Sequence, residues 1–181
     1  MTGIKLIYLK FENLVFWARS EIKGDPMSKE EISLIERRVI EAQAIVPLII
    51  AFGKRVGLEQ AKAIAQRNNE QASRDYGRRC AATVDSNTMA DLAREVASWG
   101  EGGVLEEDVL EHDERTYAFN VTGCLYVERY EALGVREFGY CLSCCRDNPF
   151  VEGFNPKIKF KRTQTIMEGA PYCDFRYTLE D

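Results

Sequence analysis

Four stretches decide the fold of this 181-residue chain: Asn120-Val-Thr-Gly-Cys124, Cys141-Leu-Ser-Cys-Cys-Arg-Asp147, Gly153-Phe-Asn-Pro-Lys-Ile-Lys-Phe-Lys-Arg-Thr-Gln-Thr-Ile-Met-Glu-Gly169 and Cys173-Asp-Phe-Arg-Tyr177. They lie between Tyr117 and Tyr177, a region that holds five of the six cysteines. Its periodicity reads as strand, short helix, helix, strand, turn, strand. Tyr117, Phe119 and Val121 alternate with Thr116, Ala118 and Asn120, the period of a half-buried strand. Gly123 ends that strand and Cys124 opens a short helix, Leu125 to Leu133. A further helix is predicted from Val135 to Asp147, with Val135, Phe138, Leu142 and Cys145 on its apolar stripe and with Pro149 and Gly153 ending it. From Lys157 the period returns to two. Lys157, Lys159 and Lys161 point one way, while Ile158 and Phe160 point the other, together with Arg162 and Gln164. In the last strand Cys173, Phe175 and Tyr177 share a face, opposite Asp174 and Arg176, and a hairpin around Glu168-Gly-Ala170 joins the two strands.

The chain upstream is helical. A first helix is expected over residues 4–22, ending at Gly24-Asp-Pro26, and a second starts from a capping box of Ser28 and Glu31. Ile32, Ile35, Val39, Ala42, Val46 and Ile49 form one buried stripe on it, with Pro47 expected to kink or break the helix. The segment Ile45 to Phe52 is apolar almost all round, which places it in a core or under a partner subunit and makes a homodimer the expected assembly. Gly57 opens a third helix to about Cys80. Asp85 or Ser86 caps a fourth, whose Met89, Leu92, Ala93, Val96 and Trp99 face inward, and Gly100, Gly102 and Gly103 stop it. Strand periodicity begins at Val104, with a hairpin turn at His112-Asp-Glu114. Helices first and antiparallel strands afterwards read as an α+β fold. The whole chain, 1–181, forms one domain, with a mainly helical part at 1–103 and a small antiparallel sheet with inserted helices at 104–181.

A hydrophobic fraction of 45% with 29% charged residues is ordinary for a soluble globular protein. A net charge of −5 argues against a general nucleic-acid binder. No signal peptide opens the sequence and no apolar run reaches the ~20 residues of a membrane span, so a cytoplasmic location, no membrane contact and reduced cysteines are expected.

Several residues carry candidate chemistry. Arg162 on an apolar strand face needs an anion, either an internal carboxylate or a substrate carboxylate held by its fork. Cys144 and Asp147, three apart on the expected helix, share a face and could act as nucleophile and proton handler. A carboxylate alone raises a thiol pKa, whereas Cys124, where a strand hands over to a helix, has amides and the positive helix end to favour its thiolate. Cys80, Cys141 and Cys145 read as small buried hydrophobes. Cys141-x-x-Cys144 with Cys145, Cys124 and Cys173 supplies enough thiols for zinc or an iron–sulfur centre, but the pair lies in a helix interior without a knuckle turn. The single histidine, His112, sits in a charged turn, so no metal is expected. No Gly-x-Ser-x-Gly, Gly-x-Gly-x-x-Gly or P-loop occurs, so neither a serine triad nor a nucleotide cofactor has support.

In this order, the Gly-Phe-Asn-Pro, Arg-Thr-x-Thr and Gly-x-x-x-Cys-Asp-Phe-Arg-Tyr elements resemble the L-2-amino-thiazoline-4-carboxylic acid hydrolase family over roughly residues 117–178. The resemblance implies hydrolytic opening of 2-aminothiazoline-4-carboxylate to a carbamoyl derivative of cysteine, with no cofactor. Either a thiolate of Cys144 or Cys124 attacks the ring carbon between nitrogen and sulfur while Asp147 shuttles the proton, or Asp147 activates water directly. Arg162 would hold the substrate carboxylate, and Gln164, Cys173 and Asn120 would complete the binding site. The crowding of Cys141, Cys144 and Cys145 departs from the family pattern, and the Cys-x-x-Asp spacing selects Cys144. The same cysteines and hairpin also look like the small-molecule-binding domains related to bacterial 4-vinyl reductases. That alternative is a non-catalytic sensor-like module with an apolar ligand.

Overall fold

The structure is a computed structural model and describes residues 32–181; the helix expected over residues 4–22 and the Ser28–Glu31 cap lie outside the described residues. Helix α1 spans Leu34–Val56. It opens on another capping box, in which Glu36 N donates to Ser33 Oγ (3.3 Å) and Ser33 N donates to the Glu36 carboxylate (2.9 Å). Pro47 lies inside α1 without interrupting it. Proline removes the hydrogen bond to the Gln43 carbonyl, but both residues are exposed, so that carbonyl is open to solvent. Ala42, Val46 and Ile49 are buried as the stripe predicts, whereas Ile32 is exposed. The all-round apolar segment is only partly covered in the single chain, with Leu48 57% and Phe52 64% exposed.

Helix α2 spans Leu58–Ala81, and Gly57 supplies the positive φ (93°) that turns the chain between α1 and α2. Helix α3, Met89–Ala97, starts at Thr88, whose hydroxyl accepts from Asp91 N while Asp91 bonds back to Thr88 N; Asp85 and Ser86 are not its cap. Met89, Leu92, Ala93 and Val96 are buried as expected. Strands β1 (Leu105–His112), β2 (Thr116–Cys124), β3 (Ile158–Lys161) and β4 (Cys173–Leu179) form one antiparallel sheet in the order β1-β2-β4-β3. This is the expected α+β architecture. Among the described residues no helix is long and apolar enough to cross a membrane.

The segment after β2 departs from expectation. Helix α4 (Leu125–Ala132) follows directly. Residues 135–147 are not one helix but a 3₁₀ turn at Arg136–Phe138, a short α5 (Gly139–Leu142) and a second 3₁₀ turn at Cys144–Arg146, followed by α6 (Asp147–Phe154). The break falls at Ser143 (φ −122°, ψ −67°). Pro149 begins rather than ends a helix, because it occupies the first turn of α6, where an amide has no intrahelical partner. Gly153 lies within α6 for a packing reason. A Cβ there would strike the Arg74 carbonyl, and one on Gly77 would strike the Phe150 carbonyl, so α2 and α6 meet backbone to backbone.

Two apolar clusters result. One packs Tyr117, Phe119, Phe175 and Tyr177 of the sheet against α3 and against Phe150 and Phe154 of α6. The other joins α1 to α4 and α5 through Val46, Ile49, Tyr130 and Leu142. Cys124 and Ile166 pack against both, at the seam.

Candidate active site

Asp147 is the first residue of α6, and Cys144 belongs to the 3₁₀ turn before it, so the two do not share an α-helix as the spacing suggests. Side chains three apart eclipse in 3₁₀ geometry, and this still brings the pair together. The broken segment is pinned from α2. Asn69 Nδ2 donates to the Cys141 carbonyl (2.8 Å) and Ser73 Oγ to the Arg146 carbonyl (2.7 Å). Arg146 in turn donates to the Leu142 carbonyl and to Asn69 Oδ1, both at 2.7 Å.

Arg162 does point inward, with only 7% of its side chain exposed. Its Nη1 pairs with Asp147 Oδ2, its Nη2 donates to the Cys144 carbonyl (2.9 Å), and its guanidinium lies over the rings of Phe175 (5.1 Å) and Phe160 (5.5 Å). The anion that the apolar face demands is therefore an internal carboxylate. Arg162 lines a cleft of about 660 Å³ together with Cys144, Tyr140 and Gln164, whereas Asp147 does not line it.

Strand β3 stops at Lys161, because Asp174 takes over the bonds a longer ladder would make. The Thr163 and Gln164 amides donate to Asp174 Oδ1 (2.9 Å each), and Thr163 Oγ1 donates to Oδ2 (2.7 Å). Thr165 Oγ caps the next 3₁₀ turn by accepting from Glu168 N (3.2 Å). The Arg-Thr-x-Thr element thus holds the loop that carries Arg162 and Gln164. Gln164 donates to the Tyr172 carbonyl (3.0 Å) rather than continuing the strand's apolar face.

Cys173 sits on the inner face with Phe175 and Tyr177, its sulfur accepting from Ile166 N (3.2 Å). Asn120 does not join this group. It lies on the opposite face of the sheet, where its Oδ1 accepts from Arg176 Nη2 (2.8 Å), because the alternation that buries Phe119 and Val121 turns Asn120 outward. Its expected place in a binding site is not compatible with that orientation.

Burial sets the electrostatics. It pushes the Cys144 thiol well above its ordinary value; Asp147 adds to the push and Arg162 opposes it. It pushes Cys173 up to about 11, against the Ile166 amide and Arg162. Cys124 does receive the Val127 and Tyr126 amides at the start of α4, but burial outweighs them and its thiol is raised, contrary to the expected thiolate. Burial also raises the Asp147 carboxyl, with Arg162 pulling it back and Arg146 and Arg38 helping. Cys124, Cys144, Asp147, Arg162 and Cys173 are close enough to act on one another's ionisation. Cys141 and Cys145 are buried and donate weakly to the carbonyls of Phe138 and Cys141, both at 3.2 Å. Among the described residues no group of three or more His, Cys, Asp or Glu side chains is arranged to hold a metal ion.

Asp174, which fixes the loop, is missed by sequence reading, and Tyr140, beside Arg162 in the cleft, is legible only as a sequence neighbour of Cys144 and Asp147 with no assigned role. The Asp174 signal is its position opposite the inward Cys173 and Phe175, at the height where β3 ends.

No curated protein matches the chain. Among solved structures, a trafficking protein particle complex subunit 3 from Naegleria fowleri, covalently bound to palmitic acid, superposes with a TM-score of 0.43 at 12% identity, covering 74% of this chain and 93% of that one. The sequence profile of the L-2-amino-thiazoline-4-carboxylic acid hydrolase family matches residues 37–177, most of the chain, and the protein belongs to that family.

Proposed function

We propose that the protein hydrolyses a small sulfur- and nitrogen-containing heterocyclic acid such as 2-aminothiazoline-4-carboxylate, with Asp147 activating water. The observation that carries this reading is the part-buried Arg162–Asp147 pair: Arg162 lines, with Cys144, a cleft large enough for a small acid, and Asp147 is bonded to it from behind that wall. The remaining donors of Arg162 take the substrate carboxylate, and Gln164 borders it. Asp147 accepts a proton from water as the oxygen bonds to the ring carbon between nitrogen and sulfur. The ring nitrogen is protonated, the C–S bond breaks, and Asp147 returns its proton to the departing sulfur. The two hydrogens of water end on nitrogen and sulfur, which gives the carbamoyl-cysteine product without a redox step.

Of the two routes that the residues allow, the raised thiols favour water over covalent attack, since a protonated thiol is a poor nucleophile. Incubation of the purified protein with the racemic acid, followed by thiol release and mass spectrometry of the carbamoyl product, tests the reading. We expect turnover that Asp147→Asn removes and that Cys124→Ser and Cys144→Ser largely retain. Loss of turnover in a cysteine variant that still folds would restore the covalent route, and an inactive wild-type protein would overturn the enzyme reading. A non-catalytic binding module is favoured by one feature, that Asp147 is tied to Arg162 rather than open to the cleft. It predicts binding without product and little effect of Asp147→Asn.

A further inference from the structure

We propose that Glu70 is a specificity-determining residue of the cleft. Its carboxylate takes the cationic amidine end of a ligand whose carboxylate end lies at Arg162, so the cleft selects small zwitterionic acids over plain carboxylic acids. This rests on the reading that the cleft seats a small heterocyclic acid, and it names the group that recognises the other end of that molecule.

Several elements bring charge to the cleft. Glu70 and Arg74 line it from α2, Glu152 from α6, and Lys161, Arg162 and Glu168 from β3 and the segment that follows it. Arg74 and Glu152 answer each other: Arg74 Nη2 and Nε donate to Glu152 Oε2 (2.6 and 3.1 Å), and Asn148 Nδ2 donates to Oε1 (2.9 Å). Arg162 is paired with Asp147. Glu70 is half-buried, yet among the described residues it has no cationic partner and accepts a single hydrogen bond, from the neutral Gln66 amide (2.7 Å). A carboxylate withdrawn from water calls for a positive partner. Lys161 and Glu168 also lack an ion pair among the described residues, but both are exposed, where water screens them.

Hydrogen bonds tie Glu70 and Arg162 to one small piece of structure. Asn69 and Ser73, on either side of Glu70 along α2, hold the carbonyls of Cys141 and Arg146, which clamps the 3₁₀ turn Cys144–Arg146 against α2. Arg162 holds the same turn through the Cys144 carbonyl (2.9 Å). Cys144 and Cys145 of that turn line the cleft together with Glu70 and Arg162. The turn thus links an anion on α2 to a cation on the loop after β3, within one cavity.

A ligand that matches both ends carries a carboxylate and an amidinium on one small ring. The N–C–N fork of an amidinium presents two parallel donors to a carboxylate, as a guanidinium does. Glu70 acts on binding alone, forming no covalent bond and exchanging no proton. The proton that charges the amidine comes from solution and returns to it with the product, so the balance of the hydrolysis is unchanged.

The experiment is isothermal titration calorimetry of wild type, Glu70→Gln and Glu168→Gln with two probes that cannot be hydrolysed by this route. One is 2-iminoimidazolidine-4-carboxylate, in which nitrogen replaces the ring sulfur and the amidine becomes a charged guanidine. The other is tetrahydrothiophene-2-carboxylate, a plain acid of similar size. Wild type should bind the charged ring on the order of 10- to 100-fold more tightly than the plain acid. Glu70→Gln keeps an acceptor oxygen for Gln66 and should bring that ratio close to one, with the affinity for the plain acid unchanged. Glu168→Gln should leave the ratio within about twofold of wild type. Equal affinity of wild type for the two probes, or binding of neither, overturns the proposal whether or not the variants fold. So does a ratio that survives in Glu70→Gln or collapses in Glu168→Gln. Turnover of 2-aminothiazoline-4-carboxylate by a wild-type protein with no preference between the probes would sink this inference and leave the hydrolase reading standing. A Glu70-dependent preference in a protein without turnover would do the reverse.

Discussion

The two faces of the β2–β4 pair handle polar groups in opposite ways. On the outer face every prominent polar side chain is answered by a neighbour: Arg176 by the Phe119 carbonyl and Asn120, Asp174 by Thr163 and the Gln164 amide. On the inner face an aromatic layer surrounds a few polar groups that are incompletely answered, namely raised thiols, an orphan tyrosine hydroxyl and a carboxyl whose burial is only partly offset by Arg162 and two further arginines. The outer face spends its polar groups on shape. The inner face keeps groups whose pairing is unfinished, and those are the ones a substrate can complete.

The largest break in this contrast should come from Arg162→Met. It leaves the Asp147 carboxylate without its counter-charge in the interior, and stability should fall by about 3–5 kcal/mol in urea unfolding. A loss below about 1 kcal/mol would mean that the inner face is wetter than its packing implies.

A sharper comparison uses pH, because Asp147 and Asp174 are displaced in opposite directions from the same ordinary value of 3.8. Burial raises Asp147, so the folded protein holds that proton more tightly than the unfolded chain does. Its contribution is full below the ordinary value and is lost as pH rises through the raised one. Burial pushes the Asp174 carboxyl up as well, but the Thr163 hydroxyl and the backbone amides of Thr163 and Gln164 outweigh it and hold the carboxyl below its ordinary value. Its contribution is present above that value and is lost as pH falls through the lowered one. Stability measured across the acid range should therefore lose its falling limb above pH 3.8 in Asp147→Asn, and its acid limb below 3.8 in Asp174→Asn. The same slopes in both variants would erase the distinction between the faces.

The smallest effect belongs to Asn120→Ala. Removing one partly exposed hydrogen bond to Arg176 should cost about 0.5–1 kcal/mol and leave kcat/KM unchanged. A collapse of activity there would return the outer face to the site.

Much of this arrangement was legible in the sequence. Period-two alternation on β2 and β4 located the inner face, and its continuation past Phe160 turned Arg162 inward. The strand-to-helix handover placed Cys124 at the start of α4. What escaped was set by distant contacts. The stripe through Val135, Phe138 and Leu142 continues smoothly across Ser143, so periodicity could not reveal a break that Asn69 and Ser73 hold in place from α2. The Cys124 amides are a local feature and were visible, while the burial that outweighs them depends on two clusters meeting around that residue. Asn120 shows a different failure. Alternation sets it opposite Phe119, whereas the motif resemblance places it in the site.

The glycine contact between α2 and α6 has a consequence for Asp147. Gly153 and Asp147 belong to one short helix, six residues apart, a rise of about 9 Å. The Arg74 carbonyl seated against Gly153 acts as a fulcrum near one end of that rod, and the Asp147 carboxyl rides on the other. A single methyl group at position 153 would tilt the lever and swing Asp147 away from Arg162, so the pairing of these two charges is set by a contact that carries no charge of its own.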